Sequence, residues 1–487
     1  MTELKKPKYL KLANELAQLI ESGTFRVGDR LPSIRELAVQ WRISMTTVSE
    51  AYRDLENRGL VESRPQSGFF VLSPWVRTYG ALENKPLCST PILEPVPQEP
   101  RLTDFMLKLI QDMHKPTYLP LGGAVLMSSD VPSKRLYSAA QTAGRRHEER
   151  INQYCDPSGV VELKSEIAKR AVLSGVAADP SEVLITNGCH EGISLAISAL
   201  SQPGDMIAVE SPCFYVTIFS AIHHARKIVE IPCSPETGIS LEALEFALKS
   251  YPIRVVVTVS NHQNPMGSSI PDERKKALVE LCEQHGVVLI EDDIYGELCY
   301  NRQRPRTCKS YDQTGNVVLC SSFSKTVAPG YRIGWVLPGR YRKEILTHKL
   351  LLNISTSVLP QLTLSTYLEE GGYDHHLRRL RRSLGERMEL LRRMVGECFP
   401  PETRLSNPSG GLVLWVEFWK GFDSFRLYGE ALREGISIGP GGIFSQSGQY
   451  KHCIRLNCTG IREEHLEQLQ LLARLIECQR KPIIRVG

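Results

Sequence analysis

No run of apolar residues in this 487-residue chain reaches the length needed to cross a bilayer. The opening stretch, Met1 to Lys6, has no apolar core of the secretory kind, so a cytoplasmic location is expected. Cysteine pairs of the CxxC type are missing, as is any zinc-type spacing. The 13 cysteines, an odd number, therefore read as reduced and mostly buried thiols, with no metal site and no disulfide framework. A strong charge of one sign is lacking too. At +5 the net charge does not by itself imply nucleic acid, so any such contact must come from where charge is placed. There is no internal repeat. With 42% apolar and 23% charged residues the composition is that of a soluble globular protein, and the length implies two or three domains.

Three textures follow one another. Residues 1–72 hold short helical patterns. Residues 73–116 are irregular, with Pro91, Pro95, Pro97 and Pro100 close together, and read as a partly extended linker. One apolar patch inside it, Phe105 to Ile110, reads as a short docking helix. From 117 to 487 the pattern becomes strand, helix, strand, helix. Met206 to Val209, Val255 to Val259 and Val287 to Ile290 are short β-branched runs, with helical stretches such as Asp272 to Leu278 between them. That alternation predicts an α/β domain, a mostly parallel sheet with helices on both faces.

In the first region Leu10 to Glu21 is an amphipathic helix by spacing. Ser33, with Glu36 three residues on, predicts a capping box that opens a second helix over 34–41. After the short turn Arg42-Ile43-Ser44, a third helix runs from Met45 to Arg58, and Gln66 to Val71 reads as the end of a hairpin. Helix, turn, helix, hairpin is the outline of a winged helix-turn-helix. Ser44, Thr46, Thr47 and Ser49 open the third helix, where a recognition helix meets base edges and phosphates. Arg35 and Arg64 would supply charge to phosphates. Residues 1–75 carry 11 Lys and Arg against 9 Asp and Glu. With so small an excess, a protein-interaction domain stays open as the rival reading.

Lys325 follows an apolar run, Val317 to Cys320, that reads as a buried strand. A lysine leaving the end of a buried sheet gains little structurally. It has one recurrent chemical use, a Schiff base with a carbonyl. Ser322, Ser324 and Arg332 close by are donors and a cation suited to a phosphate. Together they suggest pyridoxal phosphate. Alone, Lys325 would read as a solvated loop lysine, so the rest of the chain has to decide.

Residues 9–71, through Leu31 to Ala38, Thr47 to Glu56 and Ser67 to Val71, resemble the GntR-type winged helix. The resemblance implies operator DNA as partner, with Ser67 and Gly68 at the wing joining Arg35, Ser44, Thr46, Thr47, Ser49 and Arg64. From about residue 117 the chain resembles class I aminotransferases of the type I fold, which use pyridoxal 5'-phosphate. The motifs that carry this are Thr186 to Glu191, Glu210 to Tyr215, Asn264-Pro265-Met266-Gly267, Glu291 to Tyr295, Ser321 to Arg332 and Cys453 to Asn457. The resemblance implies a phosphate on the backbone after Gly188, at Cys189 and His190. It implies Phe214 stacked on the cofactor ring, Asn264 and Tyr295 at its phenolate, and Asp292 at its ring nitrogen with Asp293 as rival. It implies Arg455 on a substrate carboxylate, and Tyr154 reaching the phosphate of the partner subunit in a homodimer. The basic run His376 to Arg382 is read as a helix face within this domain and not as a DNA contact.

A GntR-type reader in front of an aminotransferase-like domain resembles the MocR subgroup of transcriptional regulators. That implies a regulator sensing an amino compound or a cofactor form. Two alternatives stand beside it, a working aminotransferase and a binding module with a vestigial pocket.

Overall fold

Hydroxyl side chains open the helices that matter most in the N-terminal part of the chain. Ser33 accepts from the Glu36 amide at 3.2 Å while Glu36 accepts from the Ser33 amide at 2.7 Å, a complete capping box. Ser44 caps the next helix by accepting from the Thr47 amide at 3.1 Å. These interactions belong to a computed structural model that describes residues 8–21, 25, 29–58, 60–64, 68–71, 118–301 and 303–480. The chain divides into two units, within residues 1–83 and 84–487. The linker at 73–116, its Phe105 to Ile110 patch and the domain boundary at 72 all lie outside the described residues.

The smaller unit contains α1 (Lys8–Glu21), α2 (Ile34–Trp41), α3 (Met45–Asn57), β1 (Val61–Arg64) and β2 (Gly68–Val71), the two strands pairing antiparallel. This is the winged helix-turn-helix, with helix limits within two residues of those expected. Leu12, Leu16, Ile20, Leu37, Val48 and Leu55 lie at helical spacing and close its core. The Tyr52 hydroxyl donates to the Pro32 carbonyl at 2.5 Å, tying α3 to the start of α2.

The larger unit contains β3 (Leu119–Pro120), β4 (Leu184–Thr186), β5 (Met206–Ser211), β6 (Lys227–Ser234), β7 (Gly238–Ile239), β8 (Ile253–Thr258), β9 (Val288–Asp292) and β10 (Val317–Ser322). It continues with β11 (Gly334–Leu337), β12 (Arg404–Leu405), β13 (Val413–Glu417), β14 (Ile436–Ser437), β15 (Gly439–Pro440) and β16 (Cys453–Asn457). Eight strands form one sheet in the order β4-β11-β10-β9-β8-β5-β6-β7. Only β11 and β7 run against their neighbours. Alternate residues face opposite sides, as strand geometry requires. Val255, Val257, Ile290 and Val318 pack with Ile193 and Ile197, whereas Val256, Leu289 and Leu319 pack with Ile167 and Leu278 on the other side. Both faces are buried, which is why these strands read as continuous apolar runs. A second, antiparallel sheet, β12-β13-β16-β15, carries Arg455. The basic run His376 to Arg382 lies in the helix Gly372–Cys398 of this unit, where Arg381 pairs with Glu297 at 2.9 Å. The described cysteines are free thiols. Among the described residues no helix is long and apolar enough to cross a membrane.

Loss of the cap should be felt locally. Ser33→Ala is expected to cost about 1 kcal/mol of helix stability, read as faster amide hydrogen exchange across 34–41 in the full chain while exchange in the large sheet stays unchanged.

Candidate functional site

Parallel strands deliver their following loops to one edge of the sheet, the usual place for a ligand in open α/β sheets. Here β4 leads to Gly188, β5 to Phe214, β8 to Asn264, β9 to Asp292 and Tyr295, and β10 to Lys325. The Ser211-Pro212 and Asn264-Pro265 peptide bonds in these loops are cis.

Lys325 keeps a partly accessible surface, but its ammonium is crowded by protein and donates to the Ala124 carbonyl at 2.7 Å. Burial, then the nearby Arg455 and Arg332 cations, lower its pKa to about 8, with Asp292 opposing them. Asp292 is 6% exposed and accepts from the Ile294 amide at 2.9 Å and the Cys189 thiol at 3.3 Å. Burial pushes it up to about 6; those two hydrogen bonds restrain the rise and the Asp293 charge adds to it. Asp293 looks elsewhere. Its carboxylate is held by Arg304 and by the Asn261 amide at 2.9 Å.

Arg455 is fully buried. Its guanidinium donates to Asn264 Oδ1 at 2.8 Å and to the Gly122 carbonyl, and it lies 4.9 Å from the centre of the Phe444 ring. Its Nε has no hydrogen-bond partner among the described residues. The Asn264 amide in turn donates to the Tyr295 hydroxyl at 3.3 Å. Burial moves the Tyr295 phenol far above its ordinary range.

A phosphate-sized cradle lies at the start of the helix Cys189–Leu200. Gly188 caps it at φ +86°, and a Cβ there would run into the Arg332 guanidinium. Arg332 is itself left-handed at φ +53°, a backbone state that costs a non-glycine residue about 1–3 kcal/mol. In that pose it donates to the Asn187 carbonyl at 2.9 Å and to Ser324 Oγ at 3.3 Å. Ser322 Oγ accepts from the Ser324 amide at 3.2 Å. His190 is exposed in the first helical turn. Phe214 is half-buried, its ring centre 4.7 Å from that of Tyr215. Tyr154 is 81% exposed and makes no hydrogen bond among the described residues. The donor set fits a phosphorylated aldehyde: a crowded amine, a carboxylate in its field, a cationic cradle at a helix N-terminus, and a buried guanidinium with an unused N–H.

One component was not foreseen. The strap Leu121 to Val125 crosses the site and offers its carbonyls to the site's own donors. Besides Arg455 and Lys325, Asn457 donates to the Gly123 and Val125 carbonyls, the latter at 3.0 Å, and Thr459 Oγ1 donates to Val125 at 2.8 Å. The Gly122-Gly123 pair was the only local signal. His376 was read only as part of a helix face, yet it contacts the Thr326 carbonyl, next to Lys325, at 2.8 Å.

In the smaller unit Arg35 and Thr46 are exposed, Thr47 and Ser49 half-buried, and Ser44 is engaged as the cap. Gly68 has φ +99°, and the Arg30 side chain lies over it, 3.1 Å from where a Cβ would stand. Arg30 is an exposed cation at the wing that the sequence pattern did not single out. Ser67 and the Arg64 side chain lie outside what is described.

Residues 124–470 match the class I and II aminotransferase family, and residues 8–71 match the gntR family of bacterial regulatory proteins. The HTH-type transcriptional regulator YjiR of Escherichia coli K12 is 36% identical over 96% of this chain and 98% of its own length. The kynurenine aminotransferase of Pyrococcus horikoshii, solved with PMP, superposes with a TM-score of 0.73 at 26% identity, covering 78% of this chain and 96% of that one. The α-aminoadipate aminotransferase LysN of Thermus thermophilus, solved with N-(5'-phosphopyridoxyl)-L-leucine, gives 0.70 at 25% identity, covering 78% and 99%. The larger unit is thus a class I aminotransferase fold, one associated with pyridoxal phosphate. With a GntR-type winged helix fused in front of it, the chain belongs to the MocR-type family.

The lowered pKa of Lys325 is open to direct measurement. In the cofactor-free protein an amine-modifying reagent should label Lys325 with a midpoint near pH 8, well before lysines at their ordinary 10.5. Between those values the unfolded chain holds a proton that the folded one lacks, so stability should rise with pH across the window. Lys325→Met should abolish that rise in a series of thermal melts.

Proposed function

We propose that the chain is a pyridoxal-phosphate-dependent transcriptional regulator, a homodimer whose larger unit senses a small amino compound and whose winged helix reads an operator. The convergence around Lys325 carries the reading. A crowded amine, Asp292 in its field, the Arg332 cradle and the unused Nε of Arg455 meet at the strand ends of a chain that also has a winged helix. Pyridoxal phosphate bound there would supply an aldehyde for amines and an electron-accepting ring. Lys325 would hold that aldehyde through its amine. Asp292 would keep a proton on the ring nitrogen, a role favoured over Asp293 because Arg304 and Asn261 already occupy Asp293. Asn264 and Tyr295 would face the ring oxygen, and Phe214 the ring itself. The amides after Gly188, at Cys189 and His190, would hold the phosphate with Ser322, Ser324 and Arg332. Arg455, with Asn264, would take the carboxylate of the effector. Tyr154, exposed on each protomer, would cross to the phosphate site of the other.

On the DNA side α3 would place Thr46, Thr47 and Ser49 at base edges or phosphates. Arg35, Arg64, Ser67 and Gly68 would meet the backbone, and Ser44 would hold the helix start. A working aminotransferase is the second reading, favoured by the presence of Lys325, Asp292, Tyr295, Asn264, Arg332 and Arg455 together. Operator binding measured beside turnover of a panel of amino acids separates the two.

Borohydride should fix the cofactor to Lys325, located by peptide mapping. Lys325→Ala should fold, keep the cofactor only non-covalently and lose its response to amino compounds. A covalent adduct in that variant would place the linkage elsewhere.

Thr46→Ala with Thr47→Ala should weaken specific operator binding by roughly 1–3 kcal/mol per lost base contact while cofactor absorbance stays unchanged. Effector and operator must also shift each other's affinity by one common factor. Titrating each in the presence of the other checks this, and unequal factors at equilibrium would refute the coupling.

A further inference from the structure

Strand β9 ends in Glu291 and Asp292, and Asp293 follows directly, three consecutive carboxylates exposed by only 0%, 6% and 1%. Three buried negative charges in a row would repel one another strongly unless each is offset. Strand alternation separates them. Glu291 points away from the site and is held by neutral donors, the Ser260 hydroxyl and the amides of Cys308 at 2.7 Å and Lys309 at 2.9 Å. Asp292 points into the site. Asp293 points away again, and it alone of the three is ion-paired with a guanidinium, that of Arg304.

Arg304 is fixed in that position. Its side chain is 10% exposed and also reaches Glu297 at 3.2 Å, which Arg381 holds at 2.9 Å from the other side. Asn261, the second partner of Asp293, is braced by the buried Lys275 ammonium at 2.8 Å. The backbone of Asp293 is tied to β10, its amide to the Cys320 carbonyl at 2.9 Å and its carbonyl to the Ser321 hydroxyl at 3.0 Å. Asp293 therefore cannot turn into the site, and its charge is taken up on the far side of the strand.

We infer that Arg304 is a positioning residue: by neutralising Asp293 it leaves Asp292 as the one carboxylate whose charge is directed at the ligand. The inference rests on the cofactor reading above, in which ionised Asp292 faces the ring nitrogen. The Arg304 side chain contacts Asp293, Glu297 and the Pro305 carbonyl, so it would act on the site only through Asp293. The titratable groups around Asp292 are Cys189, Cys213, Cys320, Glu210, Tyr295, Lys325 and Asp293. Of these, Glu210, pushed up to about 7 by burial, titrates in the range of interest. The quantity to read is therefore the difference between variants that share it.

The test follows retention of pyridoxal phosphate against pH in the full-length protein. Retention requires an ionised Asp292, so it is lost as pH falls. Arg304→Met should move the midpoint of that loss upward by about one pH unit or more, equivalent to roughly tenfold weaker retention just below it. Asp293→Asn should move it downward, because Arg304 is then left uncompensated beside Asp292. The double variant should return to within about threefold of wild type. A merely structural Arg304 would weaken retention equally at all pH values and would not be rescued by Asp293→Asn; either result overturns the inference. If Arg304→Met does not fold, Asp293→Asn decides alone, and a midpoint that stays or rises refutes the proposal. Should the wild-type chain retain no cofactor, the cofactor reading fails by itself. The same carboxyl is then followed in thermal melts of the cofactor-free protein. There a raised carboxyl pKa makes stability fall with rising pH, across a window that Arg304→Met extends upward and Asp293→Asn shortens.

Discussion

A guanidinium with no exposed surface survives in a protein interior only if its lost hydration is offset by neighbouring groups. Arg455 is such a group, and much of the site is arranged around it. Asn264 is turned by accepting from it and so presents its amide to Tyr295. The Gly122 carbonyl and the face of Phe444 supply the remaining partial negative charge. A second cation, Lys325, shares the space, and Arg455 adds to the burial that makes it harder to keep charged. The result is a pocket whose two cations bond to backbone carbonyls, with Asp292 as the carboxylate in the field of Lys325. An anionic ligand is the natural complement of such a pocket.

What was legible in the sequence was local. The Ser33 capping box, the apolar strands Val317 to Cys320 and Val255 to Val259, and the helix from Met45 each declare themselves within a few residues, through capping chemistry or side-chain period. Motif order was legible as well, because loops at the carboxyl ends of parallel strands must converge whatever lies between them. The family spacing favoured Asp292 and left Asp293 as a rival. What distinguishes the surroundings of the two is Arg304 on Asp293, and Arg304 sits in an irregular stretch with no periodicity to read. Ser44 shows a different limit: a hydroxyl at a helix start is equally a cap and a reader, and here the cap is made. The strap was missed because backbone carbonyls leave no trace in residue type beyond the Gly122-Gly123 pair.

The face of the sheet behind the site belongs to the same electrostatic design. Arg170, Arg304 and Arg381 surround Glu297 there, at 3.6, 3.2 and 2.9 Å. Removing one member would strand its partners without water, which is why buried networks of this kind are costly to break and weak as a source of net stability. Their value lies in geometry. Through Arg304 they hold the Asp293 side chain, and the Asp293 backbone is itself tied to β10.

The strap also competes for the site's own donors. One Arg455 N–H and the Lys325 ammonium already donate to the Gly122 and Ala124 carbonyls, while Arg455 Nε has no hydrogen-bond partner among the described residues. A carboxylate that displaces the Gly122 carbonyl from Arg455 gains there only the difference between a new charge-assisted contact and the bond it replaces. Hydrogen bonds to charged groups contribute about 1.5–3 kcal/mol each, so a simple carboxylate such as acetate stands to gain little from the exchange. Under the proposed function, a molecule whose amine also engages the cofactor aldehyde would add a second attachment that such a carboxylate lacks.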